Sequence, residues 1–566
     1  MKVAVAQQNY HIGNFESNRK KIIAAIEQAK EQNVDLVVFS ELSVCGYPPR
    51  DFLEFSDFID KCYQSVELIS QHTFGIGVII GAPQRNPKIE GKDLYNSALL
   101  LFDGKIIGTA HKSLLPTYDI FDEYRYFEPA DTWSVIDFKG ERIALTICED
   151  IWNLTENPLY PTSPMDLLVQ QHPTMLINVT ASPFDYDHDD DRKEIILENI
   201  KRYHLPVIYC NTVGAQTELV FDGGSLILKN NGSLHKELKY FEEDFYLFDS
   251  KDLLSDDQTL ADYQFVDTRV SKAKSREKLV EYLTSENNIA QIYHALILGI
   301  QDYFGKMGFK KAILGASGGI DSAIVQALAV KALGKENVHV LLMPSEFSTS
   351  HSLTDAEQLS KKLGNSFDLI PIKNIYQTYL ASLNPVFIGL PFGIAEENIQ
   401  SRIRGNLLMG LANKFGYILL NTSNKSELAV GYGTLYGDMV GGLSVLGDLY
   451  KVQIYALARF INRNEEIIPV NILNKAPSAE LRPDQKDIDS LPDYSVLDQV
   501  LYQYIEMRKG PREIIEQGFD PELITRILKL VNTAEYKRNQ FCPIIRVSRK
   551  AFGVGRRVPI VGHYLY

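Results

Sequence analysis

Cysteine is scarce in this chain. Five occur in 566 residues, Cys45, Cys62, Cys148, Cys210 and Cys542. The number is odd and no pair has CxxC spacing, which excludes a disulfide framework and a thiolate zinc site and suits a reducing cytoplasm. Long apolar runs are missing as well: no stretch of about 18 such residues appears, so no membrane-spanning helix is expected. Positive charge is in deficit, with 58 Lys and Arg against 72 Asp and Glu, net −14. That balance argues against general nucleic-acid binding. There is no internal repeat, no low-complexity segment and no Gly-Lys-Ser/Thr of a Walker loop. Residues Met1 to Gln7 read as a strand, not as a signal peptide.

What is present is ordinary globular composition, 45% apolar, in a length that predicts two or three domains. The first ~250 residues alternate strands with amphipathic helices. Strands are expected at Val3–Gln7, Asp35–Phe39, Gly77–Gly81, Ala98–Phe102, Arg142–Ile147, Met175–Val179 and Pro206–Tyr209. In residues 14–32, Ile22, Ile23, Ile26 and Ala29 recur at helical spacing. Residues 251–284 read as a linker, polar and charged over most of their length. A second α/β pattern occupies 285–566, with strands at Val338–Met343, Asp368–Ile372 and Tyr417–Asn421. Strands alternating with helices predict a mostly parallel, doubly wound sheet with its ligand at the carboxyl ends of the strands.

The stretch Ser317-Gly318-Gly319-Ile320-Asp321-Ser322 lies at such an end. An apolar strand precedes it and a helical run follows. Paired glycines let backbone N–H groups close on a phosphate at a helix N-terminus. Asp321 would repel a bare phosphate, so its place implies a bridging Mg²⁺. Gly315 to Ser322 therefore resembles the pyrophosphate-binding loop of the ATP pyrophosphatases, which activate a carboxyl or carbonyl oxygen by adenylation.

Three residues of the N-terminal half stand at element ends: Glu41 in "VVFSELSVCGYPPRD", Lys112 in "HKSLLPTYDIFDEYRYF" and Cys148 in "IALTICEDIW". A thiol directly after a buried strand reads as an exposed nucleophile on a tight turn. Glu41 can serve as its base, and Lys112 can lower the thiol pKa and stabilise an oxyanion. These segments resemble the Glu-Lys-Cys amidases of the nitrilase superfamily across residues 1–250. The resemblance implies a four-layer αββα sandwich, Cys148 as thioester-forming nucleophile and Glu123 as a second, positioning carboxylate. It also implies a glutamine pocket with Tyr118 and Ser182. A Lys is expected six residues after Ser182, but His188 stands there, and Arg192 or Lys193 is left to grip the α-carboxylate.

In the C-terminal half, "EENIQSRIRGNLLM" places Asn398, Arg402 and Ile403 near the start of a helix, with Arg404 offering a fork for an anion. "NTSNKSELAVGYGTLYGD" supplies Thr422 at a strand end and Glu427 as a second Mg²⁺ ligand facing Asp321. Lys451 is placed to reach ATP phosphates, and Ser478 and Lys537 follow. These motifs resemble the NAD⁺ synthetases over 285–566, with a Rossmann-like adenine nucleotide alpha-hydrolase fold. With the amidase half in front, nearly the whole length resembles the glutamine-dependent NAD⁺ synthetases. The resemblance implies ATP as substrate, Mg²⁺, deamido-NAD⁺ bound by Asn398, Glu427 and Lys537, and a homodimer or larger homo-oligomer without nucleic acid or membrane. Two rivals differ in class: a plain carbon–nitrogen hydrolase with a nucleotide-sensing domain, and a non-catalytic binding module. The complete trio and the intact loop speak against both. The basic tail, Arg546, Arg549, Lys550, Arg556 and Arg557, is open between a solvated tail and a folded role.

Overall fold

The computed structural model describes residues 1–154, 158–186, 188–255, 276–478, 480–482, 485, 487, 491–562 and 564, without the side chains of 188, 189, 276, 277 and 350. It divides into two compact units, Met1–Phe184 with His188–Val266, and Asp185–Asp187 with Asp267–Tyr566. No helix among the described residues is long and apolar enough to cross a membrane.

The first unit has fourteen strands among its described residues: β1 (Lys2–Gln7), β2 (Leu36–Val38), β3 (Gly77–Arg85), β4 (Leu94–Phe102), β5 (Lys105–His111), β6 (Ile136–Phe138), β7 (Glu141–Ile147), β8 (Met175–Thr180), β9 (Val207–Asn211), β10 (Val213–Gln216), β11 (Leu219–Asp222), β12 (Leu226–Leu228), β13 (Leu234–Glu237) and β14 (Asp244–Asp249). One six-stranded sheet runs β14-β1-β2-β3-β4-β5 and another β13-β12-β9-β8-β7-β6, with β10 and β11 a separate hairpin. Strand alternation explains the layers. In β1, Val3 and Val5 join residues of β2 and β3 in the core between the sheets, where Leu145, Ile147, Ile177 and Val179 meet them from the other sheet. Ala4 and Ala6 face the opposite way, onto Ile22, Ala25 and Ile26 of the helix Phe15–Glu31. The outer face of the second sheet packs Leu176 and Val207 against Ile196 and Ile200 of the helix His188–Tyr203. This is an αββα sandwich. The short strands β10 to β14 and the edge strands β5 and β6 are absent from the expectations, because few of their residues follow a long apolar pattern.

The second unit holds one sheet of five parallel strands, β15 (Lys311–Gly315), β16 (Val338–Leu342), β17 (Ser366–Leu369), β18 (Tyr417–Asn421) and β19 (Leu443–Ser444), in the order β17-β16-β15-β18-β19. The order reverses at β15, which makes the carboxyl end of β15 a switch-point crevice of a doubly wound sheet. One face packs Ile313, Leu341 and Leu419 against Ile399, Ile403 and Leu408 of the helix Ile394–Phe415. The helix Ile320–Leu333 leaves β15 and is buried over most of its length. The strand expected at Asp368–Ile372 lies two residues earlier, since Ile372 already precedes the helix Lys373–Phe387.

Candidate functional site

In the first unit, Glu41 follows β2, Lys112 follows β5 and Cys148 follows β7, so strand pairing carries each side chain to an end of the sandwich. Gly81 in β3 makes this approach possible, because a Cβ there would lie 2.1 Å from the Leu42 nitrogen. Lys112 is wholly buried, and its Nζ donates to Glu41 Oε1 at 2.9 Å and to Glu123 Oε1 at 2.8 Å. Glu41 is held from other sides by Asn96 Nδ2 at 2.7 Å and the Ala181 N–H at 2.9 Å. Tyr47 donates to Glu123 at 2.7 Å. Burial pulls the Lys112 pKa down, but Glu123 and Glu41 outweigh it and hold it well above the usual value. Burial pushes Glu123 up to about 7 against the pull of Lys112.

Cys148 opens the 3₁₀ turn Cys148–Ile151 with φ +43°, a left-handed conformation unusual for a non-glycine residue. The expectation of an exposed thiol is corrected: Cys148 is 6% exposed. Burial raises its pKa, Lys112 opposes that and Glu41 reinforces it, so the thiol rests protonated at neutral pH. Lys112 does not lower it below its ordinary value, because burial, joined by the charges of Glu41 and Glu149, outweighs the ammonium.

Tyr118 is partly exposed, and its hydroxyl donates to both oxygens of Glu149, at 2.9 and 3.0 Å. Tyr160 reaches Glu149 at 3.3 Å, and burial raises the Glu149 carboxyl. Ser182 is buried just after β8, with its N–H on Asn211 Oδ1 at 3.0 Å. Arg192 departs from the expected grip on a substrate carboxylate. It is fully buried and pairs with Asp222 through both terminal nitrogens, at 3.1 and 2.7 Å. Lys193 pairs with Glu237 at 2.8 Å. The backbone of His188 starts a helix, and its side chain lies outside the described residues.

In the second unit the loop Gly315 to Ser322 turns from β15 into the helix Ile320–Leu333. The Ala316 N–H bonds the Leu341 carbonyl at 3.1 Å. Ser317 Oγ accepts from the Gly319 N–H at 3.2 Å, and Ser322 Oγ donates to the Gly319 carbonyl at 3.0 Å. Gly318 has φ +75°, and a Cβ there would fall 2.3 Å from the Ser352 carbonyl oxygen. Only glycine fits that point.

Lys451, at the start of the helix Lys451–Ile461, donates to Asp321 Oδ2 at 2.6 Å and to Glu427 Oε1 at 3.3 Å. Asn424 caps the helix Lys425–Val430, accepting from the Glu427 N–H and donating to Asp321 at 2.9 Å. Burial pushes Glu427 up to about 7 while Lys451 pulls it down. Asp321 and Glu427 thus share one ammonium between two carboxylates, a pair of hard oxygen donors whose second negative charge is uncompensated by it. That donor chemistry fits a divalent cation, although no cluster of three or more metal-ligating side chains occurs among the described residues. Thr422 directly follows β18. Asn398 Oδ1 accepts from Thr434 at 2.8 Å. Arg402 donates to the Leu435 carbonyl, and Arg404 to the Met343 carbonyl at 3.1 Å, its pKa brought down to about 10 by burial. Lys537 is partly buried and donates to the Gly431 and Gly433 carbonyls, both at 2.8 Å, which makes it a brace of that loop here. Ser478 Oγ donates to the Gln485 carbonyl.

Sequence reasoning missed Asn96, Tyr47, Glu149 and Asp150 in the first unit, and Asn424, Asp487 and Asp498 in the second. Asp487 accepts from Tyr432 at 3.1 Å and Tyr494 at 3.0 Å. Asp498 accepts from Ser426 and from the Val452 N–H. Of these Glu149 and Asp150 had a signal in their adjacency to Cys148, and Asn424 in the Asn-x-x-Glu helix-start pattern it forms with Glu427. The tail is folded: Arg556 and Arg538 both pair with Glu535, and Arg546 bonds the carbonyls of Ser548 and Arg549.

Comparison with known proteins agrees with this division. Residues 2–251 match the carbon-nitrogen hydrolase family and residues 292–541 the NAD synthase family. A glutamine-dependent NAD(+) synthetase of Synechocystis is 44% identical, over 99% of this chain and 98% of its own. One from Thermotoga maritima is 40% identical over 100% and 99%. Among solved structures, the glutamine-dependent NAD+ synthetase from Acinetobacter baumannii in complex with adenosine diphosphate superposes with a TM-score of 0.75 at 36% identity, covering 99% of this chain and 98% of that one. With Cys148, Glu41 and Lys112 in one unit, a glycine-rich loop at the switch point of the sheet in the other, and full-length relatives of this identity, the chain belongs to the glutamine-dependent NAD(+) synthetase family.

Proposed function

We propose that the chain makes NAD⁺ from deamido-NAD⁺, ATP and glutamine, with glutamine cleaved in the first unit and the amide formed in the second. The observation that carries this reading is the Lys112 ammonium held between Glu41 and Glu123 beside the Cys148 turn. Glu41 takes the thiol proton as Sγ adds to the carboxamide carbon of glutamine. The oxygen gains negative charge, which Lys112 stabilises. Collapse expels ammonia, with the proton returned from Glu41, and leaves a thioester. Water, deprotonated by Glu41, hydrolyses the thioester to glutamate and regenerates the thiol. Glu123 fixes Lys112 without taking part in proton transfer. Tyr118 and Glu149 offer a hydroxyl and a carboxylate to the α-ammonium of glutamine, and Ser182 lies at the end of the neighbouring strand.

In the second unit the carboxylate of deamido-NAD⁺ attacks the α-phosphorus of ATP and pyrophosphate leaves. Ammonia then attacks the adenylated carbonyl, AMP departs, and a proton is lost to give the amide. The Ser317–Ser322 loop supplies backbone N–H groups and hydroxyls to the phosphates, and Lys451 is within reach of them. Thr422 borders the ATP subsite. Asn398, Glu427 and Lys537 border the deamido-NAD⁺ subsite, Lys537 by holding the Gly431–Gly433 loop. Mg²⁺ would be held by Asp321 and Glu427, where it supplies charge neutralisation of the polyphosphate.

We place the division of labour at residues 251–284, between an amidohydrolase part and a synthetase part, and the enzyme in the cytoplasm, where all five unpaired thiols suit the redox state. A homodimer or larger homo-oligomer is supported by exposed apolar side chains at Val386, Ile388, Leu390, Phe392 and Ile394. Charged replacements there should shift the sedimentation coefficient to that of the monomer. The whole reading is tested by incubating the protein with ATP, Mg²⁺, glutamine and deamido-NAD⁺. NAD⁺, AMP, pyrophosphate and glutamate should appear together, and glutamate without AMP would reduce it to a plain amidohydrolase.

A further inference from the structure

We propose that Asp150 is a positioning residue of the glutamine-cleaving centre, a single carboxylate that fastens the nucleophile's turn to the loop carrying Lys112. Its Oδ1 accepts the N–H groups of Ser113 and Leu114, both at 2.9 Å. Its Oδ2 accepts the Ile147 N–H at 3.0 Å. Ser113 and Leu114 follow Lys112 directly, and Ile147 directly precedes Cys148. Asp150 itself lies on the turn that Cys148 opens. The two reacting groups come from strands that are not neighbours, since β5 and β7 belong to different sheets. Among the described residues no strand pairing joins the two segments, whereas three hydrogen bonds to one carboxylate tie them directly.

The choice of side chain is specific. All three partners are donors, so both oxygens must accept. An ionised carboxylate does this, while an amide would turn an NH₂ toward an N–H. Asp150 is 3% exposed and has no ion-pair partner among the described residues within salt-bridge distance. Burial pushes its carboxyl up to about 6, and the three N–H donors hold it down against that, so it is ionised at neutral pH. The Cys148 turn needs such a tie, because its left-handed backbone persists only where the surroundings enforce it.

The proposal rests on Cys148 as the glutaminase nucleophile, so Cys148→Ala is measured alongside. If that variant still uses glutamine, the underlying reading fails, not the role of Asp150. With Asp150→Asn in the full chain, three rates are followed: alkylation of Cys148 by iodoacetamide, glutamine turnover, and NAD⁺ synthesis from ammonium. A misplacement of about 1 Å predicts losses of roughly 10- to 100-fold in alkylation and in kcat for glutamine. The KM for glutamine and ammonium-driven synthesis should stay within about two- to threefold of the parent. Alkylation and kcat near the parent values would overturn the proposal, and so would a raised KM at unchanged kcat. If Asp150→Asn does not fold, deuterium exchange on the parent protein decides. The Ser113 and Leu114 amides, outside any strand, should be strongly protected, and exchange at the rate of an open loop would overturn the tie.

Discussion

Lys451 and Asp321, 130 positions apart, meet at 2.6 Å at the carboxyl end of the parallel sheet. The Ser317–Ser322 loop supplies one partner and the first turn of the helix Lys451–Ile461 the other. Glu427 shares the same ammonium at 3.3 Å. A lysine between two carboxylates is already desolvated and aimed; in the proposed reading an entering polyphosphate would exchange one anionic partner for another.

Replacing Lys451 by Met keeps the length of the side chain and removes the charge. AMP formation should then fall on the order of 10²-fold or more, equally with glutamine and with ammonium as nitrogen source. Glutaminase turnover in the first unit should persist. The measurement is AMP release by chromatography with each donor, and turnover near the parent value would remove Lys451 from the phosphate site.

Legibility in the sequence follows the distance over which each contact is encoded. The Ser317–Ser322 loop is readable because strand, turn and helix are contiguous, and Gly318 is required by backbone closure on Ser352. Cys148 is readable because it ends an apolar strand. The sandwich is readable from alternation in β1 and the helix after it. The supporting contacts are not. Asn96 reaches Glu41 from 55 positions away, and Asp498 reaches Ser426 from 72. No local pattern announces either. Arg192 shows the opposite failure. A guanidinium near the expected substrate pocket suggests a carboxylate grip, yet its carboxylate partner is Asp222, 30 positions on and inside the same core.

That pair makes its own prediction. Arg192→Ala strands a buried Asp222, which should cost about 3–5 kcal/mol of stability. Thermal unfolding should begin several degrees lower, and any folded fraction should keep a glutamine KM close to the parent. A normal melting curve with a raised KM would restore Arg192 to the substrate site.

Asp498 and Asp438 tie stability to pH in a definite direction. Burial is the largest cause in both, raising Asp498 to about 7 and Asp438 to about 6. Each carboxyl therefore holds its proton in the folded chain at pH values where the unfolded chain has lost it, above about 4. The folded state binds more protons in that window, so stability falls as pH rises from about 4 through 7. Melting measured in steps should show the second unit more heat-resistant at pH 6 than at pH 8. Asp498→Asn should flatten that slope.

The last prediction separates the two chemistries through the first unit. Cys148→Ala removes the thiol proposed to form the thioester, so glutamine-driven NAD⁺ synthesis should disappear. Ammonium-driven synthesis needs neither Cys148 nor Lys112 and should remain within about twofold. Glu123→Gln is the subtler case. It leaves the nucleophile and Glu41 in place but removes one of the two charges that hold the Lys112 ammonium. Lys112 then has a single carboxylate partner, and its burial is less well compensated. Its charge remains available to the oxyanion but its position is less fixed, so kcat for glutamine should fall by roughly 10- to 100-fold with little change in KM. A Glu123→Gln variant with unchanged kcat would mean that Glu41 alone fixes Lys112. A variant that lost ammonium-driven synthesis as well would mean that the first unit supports the second in more than nitrogen supply.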